Sequence, residues 1–185
     1  RANNQAIHAA RGDYALLLNS DTFVRPETFE PLLAVMTTQP QAGAVGPTLL
    51  NPDGTFQASH ASFPTLPREL AELFGLAKYL WGAYYPSYGP ESSRQTRVVD
   101  WVGGACLLVR RACWEQVGLL DESIVMYGEE VDWCYRMQQR GWQVIHCPEA
   151  SVIHYGGQSS IGAPTRKYLQ LQQGRVTFFR KHRGR

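Results

Sequence analysis

The sequence predicts an α/β domain, and three observations support that fold class. Short apolar runs that suit buried strands, such as "DYALLL" and "GAVGPTLL", alternate with longer segments in which apolar residues recur every three or four positions. Glycines stand where several of the helical segments should end, at Gly12, Gly118 and Gly141. The chain has 185 residues, 44% of them hydrophobic, which is enough for one domain with a sizeable core.

The first part of the chain divides into predicted helices and strands that follow one another closely. Residues 1–12 are expected to form the end of a helix and residues 13–18 a buried strand. A helix then begins near Pro26 and is followed by the strand "GAVGPTLL" and the turn "NPDG". An amphipathic helix is predicted over residues 65–80.

The second part begins with a predicted loop over residues 81–97, which is rich in Gly, Pro, Ser and Tyr. Strand-like runs follow on either side of Gly103 and Gly104. A short helix is predicted in "ACWEQVG" and a longer one in "EEVDWCYRMQQRG", which has acids in its first turn. The last two predicted strands are "WQVIHC" and "ASVIHY".

Charge and composition exclude several classes of protein. The formal net charge of +2 is too small to indicate a nucleic-acid partner. The four cysteines lie in apolar segments without C-x-x-C spacing, so we expect reduced core thiols in a cytoplasmic protein. No apolar run has the length of a membrane span. Because the sequence starts without Met and inside a predicted helix, we expect a piece of a longer protein that is incomplete at its N-terminus.

Polar residues follow the first predicted strand abruptly, in "LLLNSDT". In open α/β sheets, ligands bind beyond the carboxyl ends of the strands, which is where Asn19, Ser20 and Asp21 would emerge. A carboxylate in that place can bind a divalent metal ion that bridges the phosphates of a nucleotide. The alternative is that these three residues only turn the chain toward the next helix.

Three acidic residues, Glu129, Glu130 and Asp132, open the helix predicted in "MYGEEVDWCYR". Acids in the first turn of a helix are favoured by about 0.3–1 kcal/mol each, so one interpretation is ordinary stabilisation of the helix. Three acids in four residues also repel one another, which offsets part of that gain. We therefore predict that one of them serves in proton transfer.

Two further stretches are candidates for ligand contact. Gly103 and Gly104, between two apolar runs, indicate either a β-bulge or a place where backbone approaches a ligand closely. His154 leaves an apolar run in "VIHYGGQSS". A single histidine is usually structural, but one at a strand end can ligate a metal or donate to a phosphate.

Residues 161–185 combine many basic residues with regularly placed apolar ones. They are expected to form a basic amphipathic helical segment, although Gly174 in its middle disfavours a continuous helix. One interpretation is peripheral contact with anionic lipid at the inner face of a membrane. The other is a helix that packs on the domain and leaves its basic face in water.

Taken in order, "ARGDYALLLNSDT", "NPDGT", "WVGGACLLVRR", "YGEEVDWCYR" and "PEASVIHYGGQSS" resemble the family 2 glycosyltransferases of the GT-A fold. Within that family the chain is most similar to the rhamnosyltransferase-like branch that builds surface polysaccharides. The resemblance implies a Rossmann-like fold with a mixed, mostly parallel sheet flanked by helices. Residues 1–160 would be the C-terminal catalytic portion of this domain, without most of the part that recognises the donor nucleotide.

The resemblance also implies an activity, which is inverting transfer of a sugar, with rhamnose as a candidate, from a nucleotide-diphosphate donor to a hydroxyl. The partners would be that donor and a glycan or lipid-linked acceptor. Asn19, Ser20 and Asp21 would bind the donor diphosphate, and Asp21 with His154 would hold Mg²⁺ or Mn²⁺. The family usually has Asp where this chain has Asn19, which removes one charge from the metal site.

The base and the sugar pocket are implied in the same way. Glu130 stands where the family places its catalytic base, which is usually an aspartate, and Glu129 and Asp132 compete for the role because they lie in the same helical turn. The acceptor and sugar pocket would be lined by three residues of the glycine segment, Trp101, Gly103 and Gly104.

Two other functions are compatible with these residues. One is a sugar-phosphate nucleotidylyltransferase and the other is a non-catalytic carbohydrate-binding or scaffold domain of the same fold. The isolated segment is expected to be inactive, because it would lack most of the part that recognises the donor. It is also expected to form homo-oligomers, because the apolar strand "DYALLL" would present an unpaired edge.

Overall fold

A mixed sheet with helices on both faces organises the protein, and the predicted α/β class is confirmed. The computed structural model describes residues 1–124, 126–156 and 164–184. The strands in chain order are β1 (Tyr14–Leu18), β2 (Thr22–Val24), β3 (Ala42–Leu50), β4 (Phe56–Gln57), β5 (His60–Ala61), β6 (Arg97–Val99), β7 (Trp101–Val102), β8 (Cys106–Arg110) and β9 (Gln143–His154).

The large sheet has the strand order β1-β8-β3-β9-β2, with β4 paired to β3 and β6 paired to β9, while β5 and β7 form a small separate sheet. Among the described strands, β3 and β9 make the one parallel pair, and the other pairs are antiparallel. The expectation of a mostly parallel sheet was therefore wrong. Short connections such as the turn between β3 and β4 reverse the chain and therefore produce antiparallel pairs, whereas a parallel pair needs a much longer crossover.

Helices cover both faces of this sheet. They are α1 (Ala2–Ala9), α2 (Phe29–Thr38), which follows a 3₁₀ turn at Pro26–Thr28, α3 (Leu66–Leu73), α4 (Ala77–Trp81), α5 (Arg111–Val117), α6 (Glu129–Gln139) and α7 (Pro164–His182). On one face, Leu32 and Met36 of α2 pack with buried residues of β3 and β9. On the other, Trp133 of α6 and Phe178 of α7 pack in a second core with α5 and β8. Within the described ranges, none of these helices is long and apolar enough to cross a membrane.

Local structure differs from the sequence prediction at several places. The helix expected over residues 65–80 is interrupted at Gly75, whose φ of +70° ends α3 and starts a new turn before α4. The two strands expected near the C-terminus are one strand, β9, with an irregular register opposite Pro47 and Thr48. Strand β2 was not predicted at all, because three residues are too few to show a period.

The C-terminal helix is continuous through Gly174, so the expectation that this glycine weakens it was wrong. A methyl group at this position would collide with the carbonyl oxygen of Tyr127, and the backbone of Gly128 lies 3.8 Å away. The glycine is therefore needed for the close approach of α7 to the loop before α6. Phe178, one turn later, is buried in the core, which fits the interpretation of a helix that packs on the domain.

This contact predicts an unusual effect of an alanine substitution. Gly→Ala inside a helix normally stabilises by about 1 kcal/mol. For Gly174→Ala we expect the opposite, a loss of roughly 1–3 kcal/mol in the free energy of unfolding, because the added methyl group overpacks a filled contact. Urea denaturation of Gly174→Ala beside the neighbouring Gln173→Ala, an exposed site on the same helix, measures the difference. Equal stability of the two variants contradicts the packing role.

The cysteines and the sheet edge bear on two further expectations. All four cysteines, Cys106, Cys113, Cys134 and Cys147, are free and buried, as predicted. Burial raises the pKa of the first three thiols to about 12 and that of Cys147 to about 11, so they are unreactive at neutral pH. β1 lies at one end of the strand order, and self-association through that edge stays a prediction.

Candidate active site

One open cavity of about 700 Å³ collects almost all of the candidate residues. Its wall includes Asn19, Ser20, Asp21, Trp101, Gly103, Gly104, Glu129, Glu130 and His154. Asp132 is the one candidate that does not line this cavity. Residues from four separate stretches of the chain are thus brought together around a single space.

Strand pairing explains why these stretches meet. In the antiparallel pair of β1 and β8, Leu18 lies opposite Cys106, so the end of β1 is beside the start of β8. The N–H of Asn19 accordingly donates to the carbonyl of Ala105 at 3.0 Å, next to the glycine pair. At the other edge, β2 pairs with β9 so that Thr22 lies opposite His154, which places Asp21 next to that histidine.

Asp21 and His154 form the first polar centre of the cavity. The Nε2 atom of His154 lies 3.3 Å from Oδ1 of Asp21, and the backbone carbonyl of Asp21 accepts a hydrogen bond from Tyr155 at 2.9 Å. The other ring nitrogen of His154, Nδ1, lies 2.7 Å from Oε1 of Gln57. The imidazole is therefore held between two side chains, with one nitrogen directed at the carboxylate.

Gln57 is a site residue that the sequence did not reveal. Its amide nitrogen donates to Oδ1 of Asn51 at 2.8 Å and to the carbonyl of His154 at 3.1 Å. The amide oxygen must then accept from His154, which leaves the proton of a neutral ring on Nδ1 and a lone pair on Nε2. The "NPDG" turn folds β4 back onto β3 and so places Gln57 beside His154. The sequence of a hairpin turn predicts the turn but not the residues that its second strand contacts.

The glycine pair, Gly103 and Gly104, lines the same cavity. The N–H of Gly103 donates to the carbonyl of Ser59 at 2.6 Å, and a Cβ at this glycine would lie 3.4 Å from the same oxygen. A Cβ at Gly104 would lie 3.9 Å from that of Glu130. Trp101 is held by a hydrogen bond from its indole N–H to the carbonyl of Ser62 at 3.1 Å. This segment therefore presents bare backbone and one oriented ring to the cavity.

Glu130 is the second polar centre, and the loop before α6 determines its position. Tyr127 and Gly128 both adopt positive φ, 65° and 105°, which turns the chain sharply into the helix. The N–H of Gly128 lies 3.3 Å from Oε2 of Glu130. Burial, reinforced by the neighbouring charge of Glu129, raises the pKa of Glu130 to about 7. Its carboxyl group can therefore gain or lose a proton near neutral pH.

Glu129 and Asp132 have different surroundings. Oε2 of Glu129 is buried and has no hydrogen-bond partner among the described residues, although the residue lines the large cavity. Both oxygens of Asp132 are occupied by basic groups: Oδ2 by Arg136 at 2.8 Å, and Oδ1 by Lys181 at 2.8 Å and His182 at 2.7 Å.

The surroundings of Asp132 explain its separation from the other acids. Its side chain is fully buried, and although burial acts against ionisation, the hydrogen bonds from Lys181 and His182 and the charge of Arg136 lower its pKa. The carboxylate thus anchors the C-terminal helix to α6. A group held in this way does not face the cavity, so the geometry does not support Asp132 as a candidate for proton transfer.

A second, smaller cavity of about 200 Å³ lies beside the large one. Trp101, Tyr127 and Glu130 line both cavities. The remaining wall is mostly apolar and includes Leu171 and Phe178 of α7. Glu130 is thus accessible from two spaces, one containing the Asp21–His154 pair and one bounded by the C-terminal helix.

Comparison with known proteins identifies the family. The sequence model described as "Glycosyltransferase like family 2" matches residues 1–171, which is most of the chain. The chain belongs to glycosyltransferase family 2. The resemblance inferred from the motifs is therefore confirmed.

Two relatives of this family 2 glycosyltransferase segment are named for rhamnose transfer and for O-antigen biosynthesis. It is 34% identical over 155 residues to the N-acetylglucosaminyl-diphospho-decaprenol L-rhamnosyltransferase of Mycobacterium tuberculosis, an alignment that covers 80% of this chain and 48% of the relative. It is 30% identical to the O-antigen biosynthesis protein RfbC of Myxococcus xanthus, with 83% of this chain and 12% of that protein covered. The segment therefore spans about half the length of the mycobacterial relative.

A solved structure with the same fold is that of GalNAc-T7 with UDP, GalNAc and Mn²⁺. The TM-score is 0.56 at 17% sequence identity, and the match covers 83% of this chain and 29% of the other. The expected GT-A fold is thereby confirmed. In the described part of this family 2 glycosyltransferase, no cluster of three or more His, Cys, Asp or Glu side chains is arranged to hold a metal ion. The Asp21–His154 pair supplies two such groups.

Proposed function

We propose that the full-length protein is an inverting glycosyltransferase that moves a sugar from a nucleotide-diphosphate donor to an acceptor hydroxyl during synthesis of a surface polysaccharide. The observation that carries this proposal is the shared cavity of Glu130 and the Asp21–His154 pair. Glu130 can take a proton near neutral pH, and the Asp21–His154 pair would hold a metal ion that binds the leaving diphosphate. Family membership and the relatives in glycan synthesis support the same activity.

The donor diphosphate lies, in this proposal, at the end of the cavity formed by Asn19, Ser20 and Asp21. Mg²⁺ or Mn²⁺ would be held by Asp21 and His154, because the lone pair on Nε2 and the carboxylate face each other and Gln57 holds the ring in the required tautomer. When bound, the metal would neutralise charge that develops on the leaving diphosphate. Lys167 of α7 also lines this cavity and adds a positive charge.

Glu130 acts as the general base. Its ionised carboxylate removes the proton of the acceptor hydroxyl while that oxygen attacks the anomeric carbon from the side opposite the diphosphate. The new carbon–oxygen bond forms as the bond to the diphosphate breaks, which inverts the configuration. Glu129, with one buried and unpartnered oxygen, accepts hydrogen bonds from sugar hydroxyls in the same space. Trp101, Gly103 and Gly104 form the wall of the sugar and acceptor pocket.

The acceptor is a glycan or a lipid-linked saccharide. The mycobacterial relative is named for a diphospho-decaprenol acceptor and for rhamnose transfer, and both features are proposed here for the full-length protein. We place the reaction on the cytoplasmic side, at the inner face of a membrane, where a lipid-linked acceptor is available. The basic C-terminal segment is one proposed point of contact with that surface.

The test is a transfer assay with the full-length protein, a panel of nucleotide-sugars and a lipid-linked acceptor in the presence of Mn²⁺. We expect release of a nucleoside diphosphate and a new glycosidic bond with inverted anomeric configuration by NMR. A parallel reaction with a nucleoside triphosphate and a sugar 1-phosphate that releases pyrophosphate and forms a nucleotide-sugar would identify a nucleotidylyltransferase instead. Saccharide binding without any turnover across the panel would identify a non-catalytic domain.

A further inference from the structure

Exposed apolar side chains are concentrated on α3, on α4 and on the turn between them. Eight large apolar side chains within sixteen residues are between 42% and 77% exposed: Leu66, Leu70, Leu73, Phe74, Leu76, Tyr79, Leu80 and Trp81. Soluble proteins rarely leave so many neighbouring apolar groups in water unless the patch has a partner. We call these eight residues the α3–α4 surface.

Charge is divided between the two sides of these helices. On the inner side, Glu69 and Glu72 of α3 each form an ion pair with Arg175 of α7 at 3.2 Å. On the exposed side, the guanidinium of Arg68 lies 5.9 Å from the ring of Trp81, and the ammonium of Lys78 lies 4.9 Å from that of Tyr79. The acids are thus neutralised within the fold, and the charge beside the apolar surface is positive.

We propose that the α3–α4 surface docks on an anionic lipid bilayer. Trp and Tyr rings beside Lys and Arg, next to a row of leucines, are the composition that settles at the boundary of headgroups and acyl chains. Arg68 and Lys78 provide attraction to anionic headgroups, whereas a protein-protein interface core is usually depleted in lysine. The short helices, separated at Gly75, can lie in the plane of the membrane.

This surface is connected to the catalytic residues, a step that rests on the proposed function. Glu69 of α3 and Arg175 of α7 line the small cavity whose wall also includes Glu130. Leu171 and Phe178 complete an apolar side of the same cavity. A bilayer bound at the α3–α4 surface would therefore lie close to the small cavity, which shares Trp101 and Glu130 with the large one. The arrangement suits an acceptor whose lipid tail stays in the membrane while its saccharide enters the protein.

The experiment is co-sedimentation of the full-length protein with vesicles of phosphatidylcholine alone or mixed with phosphatidylglycerol, without any sugar substrate. We expect the unchanged protein to bind the mixed vesicles. A variant with Leu70→Ser, Leu73→Ser and Phe74→Ser should bind at least about tenfold more weakly, because each of these exposed side chains would bury apolar area in the bilayer on docking. Arg68→Gln and Lys78→Gln should each weaken binding to the anionic vesicles by roughly fivefold, as expected for about 1 kcal/mol per basic residue.

The matched control carries Leu33→Ser and Val98→Ser, which remove exposed apolar groups from α2 and β6. It should bind like the unchanged protein, and circular dichroism checks that all variants are folded. Undiminished vesicle binding by the triple variant overturns the proposal, as does equal binding to both vesicle types. A different result would be an unchanged protein that is a dimer in lipid-free sedimentation, a triple variant that is a monomer, and no vesicle binding by either protein. In that case the surface pairs two copies of the chain, and the proposal is also wrong.

The docking test and the transfer assay fail independently. Glu130→Gln should bind vesicles normally even if it transfers no sugar, because Glu130 is not part of the α3–α4 surface. Absence of sugar transfer with intact vesicle binding contradicts the proposed enzymatic function only. Absence of vesicle binding with intact transfer to a soluble acceptor contradicts the docking surface only.

Discussion

Glu130→Gln in the full-length enzyme is expected to lower turnover by roughly 10²–10⁴-fold while leaving donor binding nearly unchanged. Glutamine keeps the size of the side chain but cannot accept the proton of the acceptor hydroxyl. Oε2 of Glu130 already lies near the N–H of Gly128, and a glutamine oxygen can keep that contact. Steady-state kinetics, with donor affinity measured separately by calorimetry, distinguish a lost base from a lost binding group.

The pH dependence provides a second measurement on the same residue. Because burial and the charge of Glu129 raise the pKa of Glu130 to about 7, the base is ionised above that pH and protonated below it. The value of kcat/KM should therefore rise as pH increases through 7 and fall about tenfold per unit well below it. Glu130→Gln should lose this dependence, and its low rate should change little over the same range.

Asp132→Asn is the matched control for the base assignment. Asp132 holds Arg136, Lys181 and His182, so its replacement should lower the melting temperature clearly. The turnover of the enzyme that remains folded should stay close to that of the unchanged protein. The assignment would be wrong if Glu130→Gln had near-normal turnover while a folded, donor-binding Asp132→Asn enzyme were inactive. Glu129→Gln should keep a pH-dependent rate with its midpoint moved to lower pH, because Glu130 is still present but the charge of Glu129 no longer raises its pKa.

Asp21→Ala is expected to abolish metal-stimulated turnover, a loss of at least about 10²-fold, because a metal ion contributes several kcal/mol of charge stabilisation. The substitution removes the carboxylate of Asp21 from the Asp21–His154 pair. The imidazole of His154, still hydrogen-bonded to Gln57, would then be the one group of that pair left to bind a metal ion. Titration of Mn²⁺ into the full-length protein with a nucleoside diphosphate, followed by electron paramagnetic resonance, measures metal binding apart from turnover.

Asp13→Ala is the control for that variant. Asp13 is an exposed carboxylate that precedes β1 and does not line the cavity, so it tests the effect of removing one negative charge outside the site. Its Mn²⁺ binding and turnover should match those of the unchanged enzyme. An Asp21→Ala enzyme with unaltered Mn²⁺ dependence would remove Asp21 from the metal site.

Several properties of the protein followed from local patterns in the sequence. The alternation of apolar runs with amphipathic segments predicted the α/β class, and the burial of all four cysteines followed from their apolar neighbours. The polar break after "ALLL" located Asn19, Ser20 and Asp21 at a strand end, and the family motifs located Glu130 and His154. The positions of these residues in the fold were predictable because strand ends and helix starts are specified by residues close together in the chain, while their roles in the reaction stay predictions.

Only the tertiary structure decided how the candidates are distributed. Helical position alone does not separate Glu129, Glu130 and Asp132, and only the family resemblance favoured Glu130. In the structure, Lys181 and His182, some fifty residues later, bind Asp132, and Glu130 lines the cavity. The tautomer of His154 depends on Gln57, which reaches it through a hairpin formed 97 residues earlier in the chain. Strand direction and the contact of Gly174 with the loop before α6 likewise depend on distant partners. Such pairings result from packing between elements, which a local pattern of residue types does not encode.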